Sequence, residues 1–123
     1  MKCYRLKYRL TMSHSATNRR ENEHNHVLEI EIFAYPQMNR FVEFGEMEEI
    51  VSQCLDGYQN RYLNDMEEFC GDTSLENTGE ILYLKLEKAF LVQGWTVERF
   101  EISETPLRVY VITKNTYQRG CSR

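Results

Sequence analysis

The chain has 123 residues, 41 % hydrophobic and 28 % charged, with 6 Gly, 2 Pro and a formal net charge of −4. That length supports one hydrophobic core rather than two, and the balance of residue types excludes a disordered or low-complexity chain. The pI of about 5.4 argues against the broad basic footprint that a phosphate backbone requires, so nucleic acid is not expected as a partner.

Tyr4, Leu6, Tyr8, Leu10 and Met12 alternate with Arg5, Lys7, Arg9 and Thr11, the period-two pattern of a strand with one buried face. A polar stretch from Ser13 to Glu23 follows. His26 to Phe33 alternates again, with Leu28, Ile30 and Ile32 on one face and Glu29 and Glu31 on the other, so the two strands are expected to form an antiparallel hairpin. Met47, Ile50, Val51, Cys54, Leu55 and Tyr58 recur at spacings of three and four, which predicts an amphipathic helix from about Glu46 to Tyr58. Glu46, Glu48 and Glu49 suit its positive N-terminal end. In Thr73-Ser74-Leu75-Glu76 the threonine can cap a second helix and Glu76 can reach back to it; Leu75, Leu82, Leu86 and Phe90 continue the buried face towards Gly94. Two further alternating runs, Trp95 to Glu104 and Leu107 to Ile112, are split by Thr105-Pro106, where proline cannot continue a central ladder. The tail from Thr113 to Arg123 is expected to fray.

The order ββααββ predicts an α+β fold over residues 1–123 as a single domain, an antiparallel four-stranded sheet with both helices on one face. The other face carries Arg5, Lys7, Glu29 and Glu31 beside Val27 and Phe33, so it is either solvated or covered by another subunit. With no apolar run of 18 residues and no signal-like N-terminus, the chain is expected to be soluble, cytoplasmic and free of membrane. Cys3, Cys54, Cys70 and Cys121 show no C-x-x-C spacing and are read as reduced thiols, with Cys54 on the apolar stripe of the first helix.

The three histidines of the chain, His14, His24 and His26, all lie at the top of the first hairpin. His14 shares parity with Tyr4 to Met12, and His24 and His26 share parity with Leu28 to Ile32. If both strands extend, all three imidazoles therefore emerge on the helix-covered side. Three imidazoles with one open position are the composition of a catalytic zinc site, whereas closed structural sites take four protein ligands and favour cysteine. A His-x-His pair alone is more often the mark of a solvated turn; His14 at matching parity is what brings the metal reading level with it.

On these motifs the sequence resembles the 6-pyruvoyl-tetrahydropterin synthase and 6-carboxytetrahydropterin synthase family from Tyr4 to about Ile112. The family's histidine after its first strand looks like His14, and its His-Gly-His looks like His24-Asn25-His26. Phe41-Val42-Glu43-Phe44 resembles its Val-x-Asp-Phe, Tyr62-Leu63-Asn64-Asp65 its Leu-Asn segment, Ser74-Leu75-Glu76-Asn77 its Thr-Ala-Glu-Asn, and Ser103-Glu104-Thr105 its Glu-Thr. The resemblance implies a tunnelling fold (T-fold), a homohexamer built as a dimer of trimers with sites at subunit boundaries, and zinc held by His14, His24 and His26. It also implies a small-molecule pterin substrate, with Glu104 accepting the pterin's adjacent N–H donors and Ser74 and Glu76 beside it.

Two positions depart from the family. Its commoner members carry a cysteine four residues before the His-x-His, where this chain has Arg20, which cannot act as a base. A variant branch has glutamate three residues before it, and Glu21 fits that offset as the catalytic base, with Glu23 as a competitor whose parity turns it away. The family's Asp-His pair aligns with Gln59-Asn60, neither of which can shuttle a proton near pH 7; Asp56 could replace it only after a local shift.

The leading expectation is a zinc-dependent lyase or synthase acting on 7,8-dihydroneopterin triphosphate or a related dihydropterin, giving a 6-pyruvoyl, 6-carboxy or 6-hydroxymethyl product for biopterin, queuosine or folate precursor synthesis. Arg19 and Arg20 could neutralise the triphosphate or simply face solvent. Beside it stand a homologue that binds zinc and pterin without efficient turnover, and an interaction protein whose histidines are incidental.

Overall fold

A computed structural model describes residues 2–38 and 40–114. Four strands, β1 (Tyr4–His14), β2 (His24–Pro36), β3 (Trp95–Thr105) and β4 (Arg108–Thr113), form one antiparallel sheet in the order β1-β2-β3-β4. Two helices, α1 (Phe44–Leu55) and α2 (Leu75–Val92), connect β2 to β3 and lie on one sheet face. The frayed-tail expectation and Cys121 fall largely outside the described residues; Thr113 closes β4. Cys3, Cys54 and Cys70 are free thiols. Among the described residues no helix is long and apolar enough to cross a membrane.

The alternation seen in the sequence becomes a two-sided sheet. Leu10, Met12, Leu28, Ile30, Ile32, Phe100 and Ile102 are buried on the helix side, where they meet Met47, Val51, Leu82, Tyr83, Leu86 and Phe90. Each fully buried apolar side chain of this kind is worth about 1.5–3 kcal/mol relative to exposure. On the outer face, Arg5 and Lys7 pair with Glu31 across the strands, while Val27, Val109 and Val111 stay exposed. Gly79 lets α2 sit close on the sheet, since a Cβ there would come within 2.9 Å of the Ile102 side chain and 3.2 Å of Tyr110.

Three local expectations are corrected. The first hairpin strands run further than the alternation required, to His14 on β1 and from His24 on β2, with His14 opposite His24 and Met12 opposite His26. Helix α1 starts two residues early and ends at Leu55; Asp56–Tyr58 is a separate 3-10 turn that still buries Tyr58. Gly57 weakens helical continuation there, and the Asp56 carboxylate is held by the Tyr8 hydroxyl at 2.6 Å. The cap of α2 is Ser74 and not Thr73: Ser74 Oγ accepts the Asn77 N–H at 3.2 Å, while Thr73 is buried and donates its hydroxyl to Asn64 Oδ1 at 3.2 Å. Replacing Ser74 by alanine should therefore cost about 1 kcal/mol, and Thr73→Ala should not show this cap loss; urea unfolding of the two variants checks the assignment.

Candidate metal centre

The extended register places His14 and His24 side by side on the last rung of the hairpin, with His26 one rung down on the same face. Their ring centroids are 4.6, 4.9 and 4.7 Å apart, and one nitrogen from each ring lies within 4.8 Å of the others. His14 Nδ1 is 3.1 Å from the Thr73 carbonyl oxygen and His24 Nδ1 is 3.2 Å from that of Asn22. A carbonyl can only accept, so these two Nδ1 atoms carry hydrogens, and Nε2 is the atom each ring offers to a ligand. Burial holds the His14 imidazole below its ordinary value, against the opposing effect of the Thr73 contact, and so favours the neutral form that a metal needs. Three imidazoles on one face, two of them oriented by carbonyls, fit a zinc ion by their donor chemistry.

The loop between β1 and β2 is fixed by Asn64 from the far side of α1. Its Oδ1 accepts the Ser15 N–H at 2.9 Å, and its Nδ2 donates to the Ser15 carbonyl at 2.9 Å and to Asn18 Oδ1 at 2.6 Å. The Ser15 and Tyr62 hydroxyls share a buried hydrogen bond of 2.6 Å. A left-handed turn at Cys70-Gly71, with φ of 49° and 79°, then brings 72–74 alongside, where Gly71 packs on Asn18 with no room for a side chain. A cleft of about 170 Å3 results, lined by His14, Ser15, Ala16, Asp72, Thr73 and Ser74. Asn64 and the Thr73 carbonyl are the site-building groups that residue-type reasoning did not assign; the Leu-Asn segment was the one signal available for the first, and a backbone oxygen leaves none.

Glu104 joins the cluster. Beyond the Ile30–Ile102 pair, Glu104 shares the core-side parity of β3, and the β3–β4 register shifts between Ser103 and Thr105, so Glu104 sits in a bulge. Its carboxylate oxygens lie 4.0 Å from His14 Nε2 and 3.8 Å from His26 Nε2. Ser74 lines the same cleft as His14, whereas Glu76 is exposed in the first turn of α2, outside that lining. Glu21 sits on the 3-10 turn Arg20–Asn22 leading into His24, its side chain 73 % exposed and paired with Arg19 at 3.8 Å. Glu23 turns to the opposite side, accepting from the Ser13 hydroxyl and from Arg20 Nε at 3.1 Å.

The sequence model for 6-pyruvoyl tetrahydropterin synthase matches residues 4–115. The chain belongs to this family. Its fold is similar to that of 6-pyruvoyl tetrahydropterin synthase from Caenorhabditis elegans, with a TM-score of 0.69 at 17 % identity over 92 % of this chain and 96 % of that one. It is also similar to the uncharacterized protein WS1659 from Wolinella succinogenes (TM-score 0.59, 10 % identity, 93 % and 99 % covered) and to the Plasmodium falciparum 6-pyruvoyl tetrahydropterin synthase (TM-score 0.55, 11 % identity, 93 % and 99 % covered). No curated protein sequence matches the chain. The sheet with two helices on one face is thus the T-fold of a 6-pyruvoyl tetrahydropterin synthase family member, and membership supports a pterin synthase-type function.

The family departures have structural occupations in this chain. Arg20 donates to Asp65 Oδ2 at 2.7 Å and lays its guanidinium over the Tyr62 ring at 4.5 Å, tying the histidine loop to the segment after α1. Gln59 Oε1 accepts the Thr11 N–H at 3.0 Å, and Gln59 Nε2 donates to the Arg9 carbonyl at 2.8 Å and to the Tyr8 hydroxyl at 2.9 Å. Asn60 takes a left-handed conformation, φ 61°, and donates its backbone N–H to the Thr11 carbonyl at 2.6 Å. Both residues thereby pair the outer edge of β1. Burial, with the Asp56 carboxylate beside it, pushes the Tyr8 phenol up to about 12, so Tyr8 stays a donor to Asp56.

Proposed function

We propose that the protein is a zinc-dependent lyase acting on 7,8-dihydroneopterin triphosphate or a related dihydropterin. The observation that carries this reading is the convergence of His14, His24 and His26, two of them with Nδ1 on a carbonyl, on the face that also presents Glu104. His14, His24 and His26 would hold the zinc; when bound it polarises the side-chain oxygens of the substrate and stabilises charge that develops on them. The Glu104 carboxylate accepts the two adjacent N–H donors of the pterin ring, which orients the side chain towards the histidines. Ser74, on the cleft shared with His14, adds a hydroxyl at its wall, and Glu76 stands one turn into α2. Glu21 takes and returns the proton of the side-chain carbon or hydroxyl, on the strength of its offset from His24-Asn25-His26 and its place on the turn that enters His24.

Incubation of zinc-loaded protein with 7,8-dihydroneopterin triphosphate and mass spectrometry of the products tests the reading. A 6-pyruvoyl, 6-carboxy or 6-hydroxymethyl product is expected, and unchanged substrate counts against the reaction. Glu21→Gln should lower kcat by about a hundredfold or more. A variant with wild-type turnover would remove Glu21 from the role of base.

A second reading, a zinc- and pterin-binding homologue without efficient turnover, is favoured by Gln59, Asn60 and Arg20, all three engaged in scaffolding contacts where the resemblance puts proton-transfer groups. It predicts pterin binding with no product. We further propose a homohexamer of stacked trimers, which would cover the exposed Val27, Val109 and Val111 of the outer sheet face.

A further inference from the structure

We propose that Glu104 is a fourth protein ligand of the metal centre, closing the His14, His24 and His26 set while no pterin is bound. The inference rests on the zinc reading above and adds a device to it.

Three features of the chain lead there. The β3–β4 register shift isolates Glu104 at the end of β3, and a bulge turns an extra residue away from the regular ladder. Its side chain shares the sheet face of the histidines, and its two oxygens divide between two rings, Oε1 at 4.0 Å from His14 Nε2 and Oε2 at 3.8 Å from His26 Nε2. In a tetrahedral zinc site with bonds of about 2.0–2.1 Å, neighbouring ligand atoms are about 3.3–3.4 Å apart. Each oxygen is therefore roughly half an ångström farther from its own ring than a shared ion requires, and a rotation within one side-chain well would bring one of them onto the ion.

The electrostatics points the same way. His14 donates Nδ1–H to Thr73, which leaves Nε2 as the atom that faces Glu104. A cation held between that nitrogen and the carboxylate oxygen 4.0 Å away would be attracted by the carboxylate's negative charge. A carboxylate that binds the ion cannot also make a bidentate pair with the ring N–H groups of a pterin. Arrival of the pterin would then draw Glu104 off the ion and open its fourth position only when substrate is present.

The test uses the full chain loaded with cobalt(II) or zinc, and compares wild type, Glu104→Gln, Glu104→Asp and His24→Ala in the absence of pterin. Glu104→Gln should bind either metal at least about tenfold more weakly, with the melting temperature of the metal-free protein unchanged, and Glu104→Asp should recover part of the loss. Azide should alter the visible spectrum of cobalt-loaded Glu104→Gln, whose fourth position holds water, and leave that of the wild type unchanged. Equal metal affinity and an equal azide response in wild type and Glu104→Gln would overturn the fourth ligand while the histidine site stands. Wild-type affinity in His24→Ala would instead overturn the metal centre itself.

Discussion

Zinc should raise the unfolding temperature of the wild-type protein and leave that of His24→Ala where it was. His24 is exposed, and its side-chain hydrogen bond is to the Asn22 carbonyl, so the metal-free variant should lie within about 0.5 kcal/mol of the metal-free wild type. With zinc the two must separate. An ion at a thousand times its Kd stabilises a folded protein by about 4 kcal/mol, and loss of one of three imidazoles should weaken binding by about three orders of magnitude, which is nearly the whole of that gain. His14→Ala is the poorer probe. That ring is only 12 % exposed and bonded to Thr73, so its removal perturbs the fold along with the metal. Calorimetry with and without a chelator distinguishes the cases: identical zinc shifts in wild type and His24→Ala would mean that the histidine cluster does not hold the ion, and turnover should fall with the shift if the lyase reading is right.

The histidine cluster was legible because a strand is a period-two object. Parity alone put His14, His24 and His26 on the core side, and the register then needed only a strand extension to bring them to adjacent rungs. The order ββααββ followed from the same periodicities, in elements of 6 to 18 residues. What stayed illegible depends on contacts between distant segments. Thr73 and Ser74 are both capping residue types, and only the burial of Thr73 against Asn64 decides between them. Gln59 and Asn60 read as missing proton-transfer groups. In the fold they pair the edge of β1, a job set by where the turn after α1 lands and not by anything local to the two residues. The bulge that presents Glu104 is likewise a property of how β4 registers on β3.

Arg20 shows how such a departure is absorbed. A cysteine at this position would be too short for these contacts, whereas the guanidinium reaches Asp65, Glu23 and the face of Tyr62 together and adds to the hold of Asn64 and of the Ser15–Tyr62 bond. Its side chain is 64 % exposed, so the two ion pairs contribute little individually; the restriction they place on the loop entering His24 is the larger effect. Glu21, the proposed base, thus sits beside a residue that anchors the turn carrying it.

Asn64→Leu should be the most damaging single change in the described loops. The side chain meets the Ser15 N–H, the Ser15 carbonyl, Asn18 and Thr73 at once, and Ser15 is 1 % exposed, so water cannot replace what the leucine removes. Leaving a buried donor and acceptor unpaired costs roughly 1–3 kcal/mol each, which puts the variant about 2–4 kcal/mol below wild type after the leucine's own apolar contacts are credited. Asn64→Asp separates the two halves of the bond pair. Aspartate still accepts from Ser15 N–H and Thr73 but faces the Ser15 carbonyl and Asn18 Oδ1 with lone pairs, so it should lose the donor half and add repulsion. Because Asn64 ties Ser15, which follows His14, to Thr73, whose carbonyl orients that imidazole, zinc affinity should fall about tenfold or more in Asn64→Leu even where the protein remains folded. Chemical denaturation gives the first quantity and metal competition the second. A variant that loses stability yet keeps wild-type zinc affinity would show that the histidines are positioned by their strands alone, without help from the loop that joins them.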